Sequence, residues 1–423
     1  MIQKTQIKLF DSKENKLIFL ILFLSMLIRI VWLLVFDPEI ASDANWYFEK
    51  GGMIADGKGY FSEGHKTAFY PIGYPAFLSA LFFVFGKSVL VARIANIILS
   101  ISSIWLVYKL SRVFVKNAGL RLVVVFIFAF YPNHIAYTTL LYNETFFTTL
   151  FLAALYFQIR FMNRGNVKYL VLSAVLYGLA VLVRPAVLFV PIIVFAVAYF
   201  KRQKHGIKRY DVKWIKHIGF SYLLILLLLL PWQIRNYKVF DSFVFISTTA
   251  GFDLLVGNHP GAKGNYEPDT TYFSQIDRSG TEVDYDKRTK LLVKEIIKNN
   301  PKAFFKRLPH KLYYFLWPGM DGISWNMQTD SVTELLFLKR FRFLSNAYYL
   351  FLLILLSASI LFSILYWRMS SYWFWLVLSL SGYYILVSLA FFGESRFHFH
   401  LVPLAILFLA ERIEVIFTKR KSI

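Results

Sequence analysis

Repeated apolar runs are the feature of this sequence that most limits its possible folds. Several reach the ~20 residues needed to cross a bilayer, in a chain that is 57% hydrophobic and only 17% charged. A soluble protein carries about 25% charged residues, and runs that are apolar on every side are not amphipathic core helices. The sequence therefore predicts an all-α polytopic membrane protein of about ten transmembrane helices. The candidate spans are 17–36, 88–110, 120–137, 143–161, 168–183, 186–200, 216–235, 347–367, 372–391 and 398–416.

The distribution of charge predicts the orientation of these spans. A net charge of +22 suggests nucleic acid at first sight. However, 22 Lys and Arg against 3 Asp and Glu fall in the segments assigned to the inside, whereas the first outer loop, 37–87, has 4 against 6. This is the positive-inside bias, so topology explains the excess and nucleic acid is not expected as a partner. The inside segments are 1–16, 109–121, 160–168, 201–216, Arg368 and 419–421.

Two long polar regions divide the chain. We expect an N-terminal transmembrane module over 1–235 with the outer loop 37–87, an extracytoplasmic segment over 236–346, and C-terminal transmembrane helices over 347–423. Within the segment, the pattern predicts a loop over 248–264, an amphipathic helix over 284–299 and a basic-aromatic membrane-surface helix over 301–317. The chain has no cysteine, so no disulfide is possible. The first helix has no small-residue cleavage site after it and is expected to be uncleaved.

An acidic residue directly after the first span is the first candidate for chemistry. Asp43, in Ser42-Asp43, would lie where the first helix leaves the bilayer. A carboxylate there can accept a proton from a hydroxyl or hold a metal. The alternative is that Ser42 or Asp43 caps a helix that runs to Asp56.

Motifs in a fixed order accompany Asp43 over nearly the whole chain. They are Ser42-Asp43 with Tyr47 and Gly59-Tyr60, Tyr70-Pro71-x-Gly73-Tyr74-Pro75, Tyr142-Asn143-Glu144, Gly178-Leu179-x-x-Leu182-x-Arg184-Pro185, Pro231-Trp232-x-x-Arg235-Asn236-Tyr237, Gly257-Asn258 with Pro260-Gly261, and Gly393-Glu394-x-Arg396-Phe397. This ordered set resembles the C-class (GT-C) membrane glycosyltransferases. Within them it is similar to the bacterial protein O-mannosyltransferases, the lipid A aminoarabinose transferases and the RgtA/B/C/D-like group.

The resemblance implies a GT-C fold and an inverting glycosyltransferase of the bacterial cytoplasmic membrane. On the outer face, it would move a sugar from a polyprenyl-phosphate carrier to a hydroxyl of a glycan, lipid or protein acceptor. The family's acidic residue of the first outer loop acts as general base, which here is Asp43. The mannosyltransferases have an Asp-Glu pair at this place, whereas Ala44 follows Asp43. A mechanism with two adjacent carboxylates is therefore not expected.

A departing lipid phosphate needs cations, because negative charge grows on it in the transition state. The residues assigned to substrate binding are Arg29, Lys66, Tyr70, Glu144, Arg184, Arg235, Glu394 and Arg396. Structural alternatives stay open for them. The arginine inside the first span can snorkel to the headgroups, those beside prolines can anchor helix ends, the Glu394–Arg396 pair can be structural, Glu144 can favour a helix N-terminus, and Lys66 can be solvent-exposed.

The sequence assigns no metal site and no other cofactor. His398 and His400 are two residues apart and do not share a helix face, and no Asp-x-Asp occurs in the first outer loop. A divalent cation held by Asp43 and Glu144 remains possible. Two other functions also remain open: a transporter or flippase of a lipid-linked sugar, and an O-antigen polymerase or ligase. Transporters usually have two related halves, and the sequence shows no such repeat.

Overall fold

The computed structural model describes residues 12–203, 213–319, 321–327, 332–365 and 371–420. The predicted inside segments 1–16, 201–216 and 419–421 lie partly outside the described residues, and Arg368 and the end of the span 347–367 lie outside them as well. All regular elements of the described chain are helices apart from one antiparallel hairpin of β1 (Phe61–Ser62) and β2 (His65–Lys66). The predicted all-α fold class is confirmed.

Helices α1 to α9 occupy the first half of the chain. They are α1 (Ser12–Val35), α2 (Ser42–Ala55), α3 (Gly73–Phe85), α4 (Val89–Phe114), α5 (Ala118–Ala129), α6 (Pro132–Ala136), α7 (Glu144–Arg164), α8 (Val167–Val183) and α9 (Val190–Gln203). The second half has α10 (Lys213–Phe240), α11 (Ala250–Asn258), α12 (Thr270–Phe273), α13 (Glu282–Asn299), α14 (Pro301–Leu316), α15 (Asp321–Asn326), α16 (Val332–Leu365), α17 (Tyr372–Ala390) and α18 (Val402–Arg420). The 3₁₀-helices Pro185–Phe189 and Ser395–Leu401 lead into α9 and α18.

Six described helices are long and apolar enough to cross a membrane: α1, α4, α7, α10, α16 and α17. Four shorter apolar helical segments are Gly73–Phe85, Ala118–Ala129, Val167–Val183 and Pro185–Phe200. Nine of the ten predicted spans overlap these helices, but the span 120–137 is broken, because α5 ends at Ala129 and α6 begins at Pro132. The tenth, 398–416, is helical too, but its α18 contains the buried ion pair of Glu411 and Arg412, 2.6 Å apart. The apolar helix α3 was not predicted, because its residues lie inside the expected outer loop.

Local sequence explains where several helices begin and end. Gly165 has a φ of +71° and ends α7 in the left-handed conformation that glycine adopts without strain. Helix α8 ends at Val183, two residues before Pro185. Proline disfavours the helical conformation in the residue that precedes it, which here is Arg184. Thr281 and Asp284 form a capping box at the start of α13. The predicted amphipathic helix is present as α13, and the predicted basic-aromatic helix is present as α14.

One prediction for the second half of the chain is wrong. The glycine-rich stretch 248–264 was expected to be a loop, but it contains α11. Gly257 lies directly against the carbonyl group of Phe391, and a Cβ atom there would overlap that oxygen. Gly251 approaches the backbone of Asp286 in the same way. The glycines allow close packing of a helix rather than breaking it.

The helical bundle has two distinct ends. At one end, Arg121 at the start of α5 lies 2.7 Å from Glu14 near the start of α1. Glu414 of α18 accepts backbone hydrogen bonds from Lys116 and Asn117 at the same end. The 21-residue helix α7 runs from this end, at Arg164, to Glu144 at the other, over about 30 Å. The described basic connections at 109–121 and 160–168 and the candidate site are therefore at opposite ends of the bundle.

Candidate active site

Asp43 lies in the first turn of α2, which begins at Ser42 after Ala41. No side chain caps this helix, so the alternative that Ser42 or Asp43 is an N-cap is wrong. Ser42 has a φ of +53°, a backbone conformation that costs a non-glycine residue of order 1–3 kcal/mol. The strained backbone directly precedes the candidate base and fixes the direction in which the helix starts.

Both oxygens of the Asp43 carboxylate have a partner. Tyr70 donates its hydroxyl hydrogen bond to Oδ1 over 3.0 Å, and Nη1 of Arg396 donates to Oδ2 over 3.1 Å. The side chain of Asp43 retains 19% of its exposure, so a small molecule can still reach it. The structure thus brings together two residues of the first outer loop, Asp43 and Tyr70, with Arg396 from the connection before α18.

Tyr70 is held by aromatic packing. Its ring lies 5.3 Å from that of Trp46 and 5.0 Å from that of Phe69. Burial, and then the negative charge of Asp43, raise the pKa of the Tyr70 hydroxyl. The phenol therefore stays protonated at neutral pH and acts as a hydrogen-bond donor to Asp43.

Arg396 also faces Glu394. Its Nε lies 3.0 Å from Oε2 of Glu394, but neither atom has a hydrogen-bond partner with suitable geometry among the described residues. Burial raises the pKa of Glu394, and the charge of Arg396 opposes this effect. The guanidinium of Arg396 thus lies between two carboxylates and retains donor capacity, which a third anion could use.

A second ion pair joins α7 and α8 beside this group. Nη2 of Arg184 lies 2.5 Å from Oε1 of Glu144, and Nε donates to Asn143 over 2.8 Å. Asn143 in turn donates to the hydroxyl of Tyr47 on α2 over 3.0 Å. The other carboxylate oxygen of Glu144 is buried and has no hydrogen-bond partner in the described part of the chain. Arg396 interacts electrostatically with Glu144 as well, so the two ion pairs form one charged region.

Arg29 lies elsewhere, fully buried inside the bundle. Its guanidinium donates to Ser100 over 2.7 Å and to the carbonyl group of Ala129 over 3.0 Å, and it lies 3.0 Å from Nδ1 of His134. It also bonds to Ser25, four residues earlier in α1. The alternative that Arg29 snorkels to the headgroups is wrong, because protein groups surround its charge.

Arg235 and Lys66 also lie apart from Asp43. Arg235 donates to the carbonyl oxygens of Thr67 over 2.8 Å and of Tyr60 over 3.0 Å, and its guanidinium stacks on Trp232. It thereby ties the first loop to the end of α10. Lys66 is exposed on the β-hairpin.

Two carboxyl groups near the site were not predicted. Asp253 of α11 interacts electrostatically with Arg396, Glu394 and Asp43, and burial raises its pKa to about 7. Asp321 accepts a hydrogen bond of 2.6 Å from Ser395, and burial raises its pKa too. Neither residue stands in one of the ordered motifs, and only the packing of α11 and α15 brings them close.

The two histidines considered for metal binding have different surroundings. His398 lies 2.5 Å from the carbonyl oxygen of Phe315, and the ring of His400 packs on those of Phe147 and Tyr384. Across the described ranges, no three His, Cys, Asp or Glu side chains are grouped so that they could hold a metal ion. A divalent cation at Asp43 and Glu144 stays a prediction.

A cavity of about 170 Å³ lies between the α1–α2 connection and the residues before α7; Ser42 and Ala44 line it, whereas Asp43 between them does not. The rings of Tyr142 and Trp325 stack at 4.7 Å on its wall. Arg93 also lines it and forms an ion pair with Asp37. The complete lining is Pro38, Glu39, Ile40, Ala41, Ser42, Ala44, Arg93, Thr139, Leu140, Leu141, Tyr142 and Trp325.

Known proteins share this fold and part of this sequence. Residues 70–234 match the family model described as dolichyl-phosphate-mannose-protein mannosyltransferase. Among curated proteins, no sequence matches the chain. The structure is similar to the oligosaccharyltransferase AglB of Archaeoglobus fulgidus in complex with an inhibitory peptide and a dolichol-phosphate, with a TM-score of 0.54 at 16% identity over 95% of this chain and 50% of that one.

Two further solved structures are similar. The apo form of the Archaeoglobus fulgidus oligosaccharyltransferase has a TM-score of 0.56 at 16% identity, over 95% of this chain and 51% of its own. ArnT from Cupriavidus metallidurans bound to undecaprenyl phosphate has a TM-score of 0.46 at 13% identity, over 93% and 77%. This chain spans about half the length of the archaeal enzyme.

The helical architecture is the GT-C fold. The chain shares this fold with the similar membrane proteins, and the matched family model covers 165 of its 423 residues.

Proposed function

We propose that the protein transfers a sugar from a polyprenyl-phosphate carrier to an acceptor hydroxyl, with inversion at the anomeric carbon and with Asp43 as general base. The contact of Asp43 with Tyr70 and Arg396 is the observation that carries this proposal. It combines an accessible carboxylate with a cation, and these are the two groups that the reaction needs. The similar archaeal oligosaccharyltransferase was solved in complex with a dolichol-phosphate, which supports the choice of donor class.

The reaction then proceeds as a single displacement. The acceptor hydroxyl gives its proton to Asp43, and its oxygen forms a bond to the anomeric carbon. The bond between that carbon and the carrier's phosphate oxygen breaks, and the phosphate leaves with the electron pair. General-base assistance of this kind contributes about 10²–10⁴ in rate. The hydrogen bond from Tyr70 keeps Oδ1 of Asp43 oriented, and a remaining lone pair of the carboxylate receives the proton of the acceptor.

Arg396 has the role of stabilising the leaving phosphate. Arginine binds phosphate bidentately through its planar guanidinium. Arg184 adds positive charge nearby, although Glu144 neutralises part of it. Arg29 and Arg235 are proposed to act on the scaffold, because their donors are engaged with groups of the bundle and of the first loop.

We assign the reaction to the extracytoplasmic side of a bacterial cytoplasmic membrane. The basic connections at 109–121 and 160–168 lie at the end of the bundle remote from Asp43, and Lys/Arg-rich connections of this kind stay in the cytoplasm. The segment 236–346 would then contact the acceptor, which is a glycan, a lipid or a protein.

The test in cells is the Asp43→Asn variant. Mass spectrometry of surface glycans and lipids should find the modification with the wild-type protein and lose it with the variant, at equal amounts in the membrane. Asp56→Asn is the matched control, because Asp56 ends the same helix, is exposed and pairs with Lys58 on the surface. A flippase of a lipid-linked sugar needs no general base, so unchanged modification in Asp43→Asn cells would exclude the proposed chemistry.

A further inference from the structure

Glu394 and Arg396 belong to a loop that packs against helices of the 236–346 segment. This loop, 391–396, follows α17, and its last two residues begin the 3₁₀-helix Ser395–Leu401. Gly393 donates a backbone hydrogen bond of 2.8 Å to Gly264. Any Cβ atom at Gly393 would overlap the carbonyl oxygen of Lys311 on α14. The loop backbone therefore rests directly on the backbone of α14, with no side chain between them.

Lys311 fixes the beginning of this loop. The side chain is fully buried and has no carboxylate partner among the described residues. Its Nζ donates to Oδ1 of Asn258 over 2.9 Å and to the carbonyl oxygen of Leu389, in the last turn of α17, over 3.0 Å. The ammonium group thus joins α11, α14 and α17 at one point.

Asn258 completes the junction from α11. Its Nδ2 donates to the carbonyl oxygen of Ala390 over 3.0 Å and to that of Leu254 over 2.8 Å. Arg307 donates to the backbone carbonyl of Asn258 from α14 over 3.1 Å. Two consecutive carbonyl groups at the end of α17 are therefore held by side chains of the 236–346 segment.

Burying the ammonium group of Lys311 has an energetic cost. Burial, and then the charge of Arg307, lower the pKa of Lys311 to about 7, which shows that the ammonium is unfavourable where it lies. An apolar side chain would avoid this cost but could not bind the end of α17. The lysine is thus the group that couples the segment to the loop.

We infer that Lys311 and Asn258 are positioning residues, which hold the loop 391–396 so that Arg396 reaches Asp43. This inference rests on the proposed function for its catalytic meaning, but the geometry it describes can be tested without any substrate. The 236–346 segment then determines whether the cation meets the base, in addition to any contact with the acceptor.

Thiol labelling measures the position of the loop directly. The chain has no cysteine, so Ser395→Cys gives a single thiol at a site that is only 7% exposed. We expect Lys311→Met in this background to raise the rate of labelling by a water-soluble maleimide about tenfold, because two hydrogen bonds are lost. Lys306→Met, an exposed position on the same helix, should leave the rate unchanged.

Equal labelling rates in the Lys311→Met and Lys306→Met backgrounds would overturn the inference. If Lys311→Met does not give folded protein, the Asn258→Ala variant decides, with the same expectation and the same contrary result. Neither outcome depends on whether the protein transfers a sugar, so a failure here is distinct from a failure of the proposed function.

Turnover measurements test the catalytic part. Lys311→Met should lower kcat more than it changes KM for the lipid-linked donor. In an Arg396→Lys background the same substitution should have little further effect, because residues that act through one group are not additive. A loss that is equally large in both backgrounds would mean that Lys311 supports the fold only.

Discussion

Arg396 lies 3.1 Å from Asp43 although the two residues are 353 positions apart in the sequence. Asp43 belongs to the connection after the first span, and Arg396 to the connection before the last helix. A reaction that needs a base and a cation for the leaving group therefore depends on the closure of the whole helical bundle. Without Asp43 the proposed reaction would lack its base, and without Arg396 it would lack the cation for the leaving group.

Replacement of Arg396 by lysine tests this pairing. Lysine keeps the charge but not the planar, bidentate donor set. We expect kcat to fall about 10²-fold, as for the loss of one group that stabilises developing charge, while the protein remains in the membrane in normal amount. A turnover assay on purified protein checks this. Retention of full activity would remove the leaving-group role from Arg396.

Arg235 should affect stability before it affects chemistry. Arg235→Met removes the hydrogen bonds to the carbonyl groups of Thr67 and Tyr60, and bonds from a charged donor are worth about 1.5–3 kcal/mol each. Thermal unfolding without substrate should show a lower midpoint than that of Lys238→Met, an exposed position three residues on. If Arg235→Met had normal stability but no longer bound the donor, Arg235 would instead be a substrate-binding residue.

We expect donor binding to depend on pH because of the carboxyl group of Asp253. Burial raises the pKa of its carboxyl group to about 7, so the group is neutral below that pH and negative above it. The charged groups that interact with it are Arg396, Glu394, Asp43 and Asp286. A negative Asp253 repels the phosphate of the donor, and we expect KM for the donor to rise about threefold to tenfold between pH 6 and 8.

The Asp253→Asn variant provides the control for this rise. It carries no charge at any pH, so its KM for the donor should change little over the same range. The same rise in the variant would show that another group is responsible.

The orientation in the membrane can be tested by labelling, since the chain has no cysteine. Lys66→Cys lies on the exposed hairpin of the first loop, and Lys116→Cys lies in the exposed α4–α5 connection at the other end of the bundle. In intact cells, an impermeant maleimide should label the first variant and reach the second only after permeabilisation. The opposite pattern would place Asp43 on the cytoplasmic side.

Much of the fold could be predicted because apolar length and charge asymmetry are local properties of the sequence. They identified the helices that span the bundle, and a polar amphipathic pattern identified α13 and α14. The helical state of 250–258 could not be predicted in this way. Gly251 and Gly257 look like loop residues until their close neighbours, the backbones at Asp286 and Phe391, are known.

The site could be predicted only in part, for a similar reason. The motifs pointed to Asp43, Tyr70 and Arg396, which the structure brings together. The sequence could not distinguish these residues from Arg29, an arginine of the first span. The guanidinium group of Arg29 forms its hydrogen bonds inside the bundle. Asp253 was missed, because its proximity to Asp43 arises from the packing of α11 and leaves no trace in residue spacing.

The most direct test of the central claim is sugar transfer by purified Asp43→Asn protein in liposomes that contain a polyprenyl-phosphate-linked sugar and an acceptor. We predict that the variant still binds the polyprenyl-phosphate carrier, because Arg396 is intact, and that its rate of transfer falls by about 10²–10⁴ relative to the wild-type protein and to Asp56→Asn. Transfer at the wild-type rate by Asp43→Asn would show that Asp43 is not the general base.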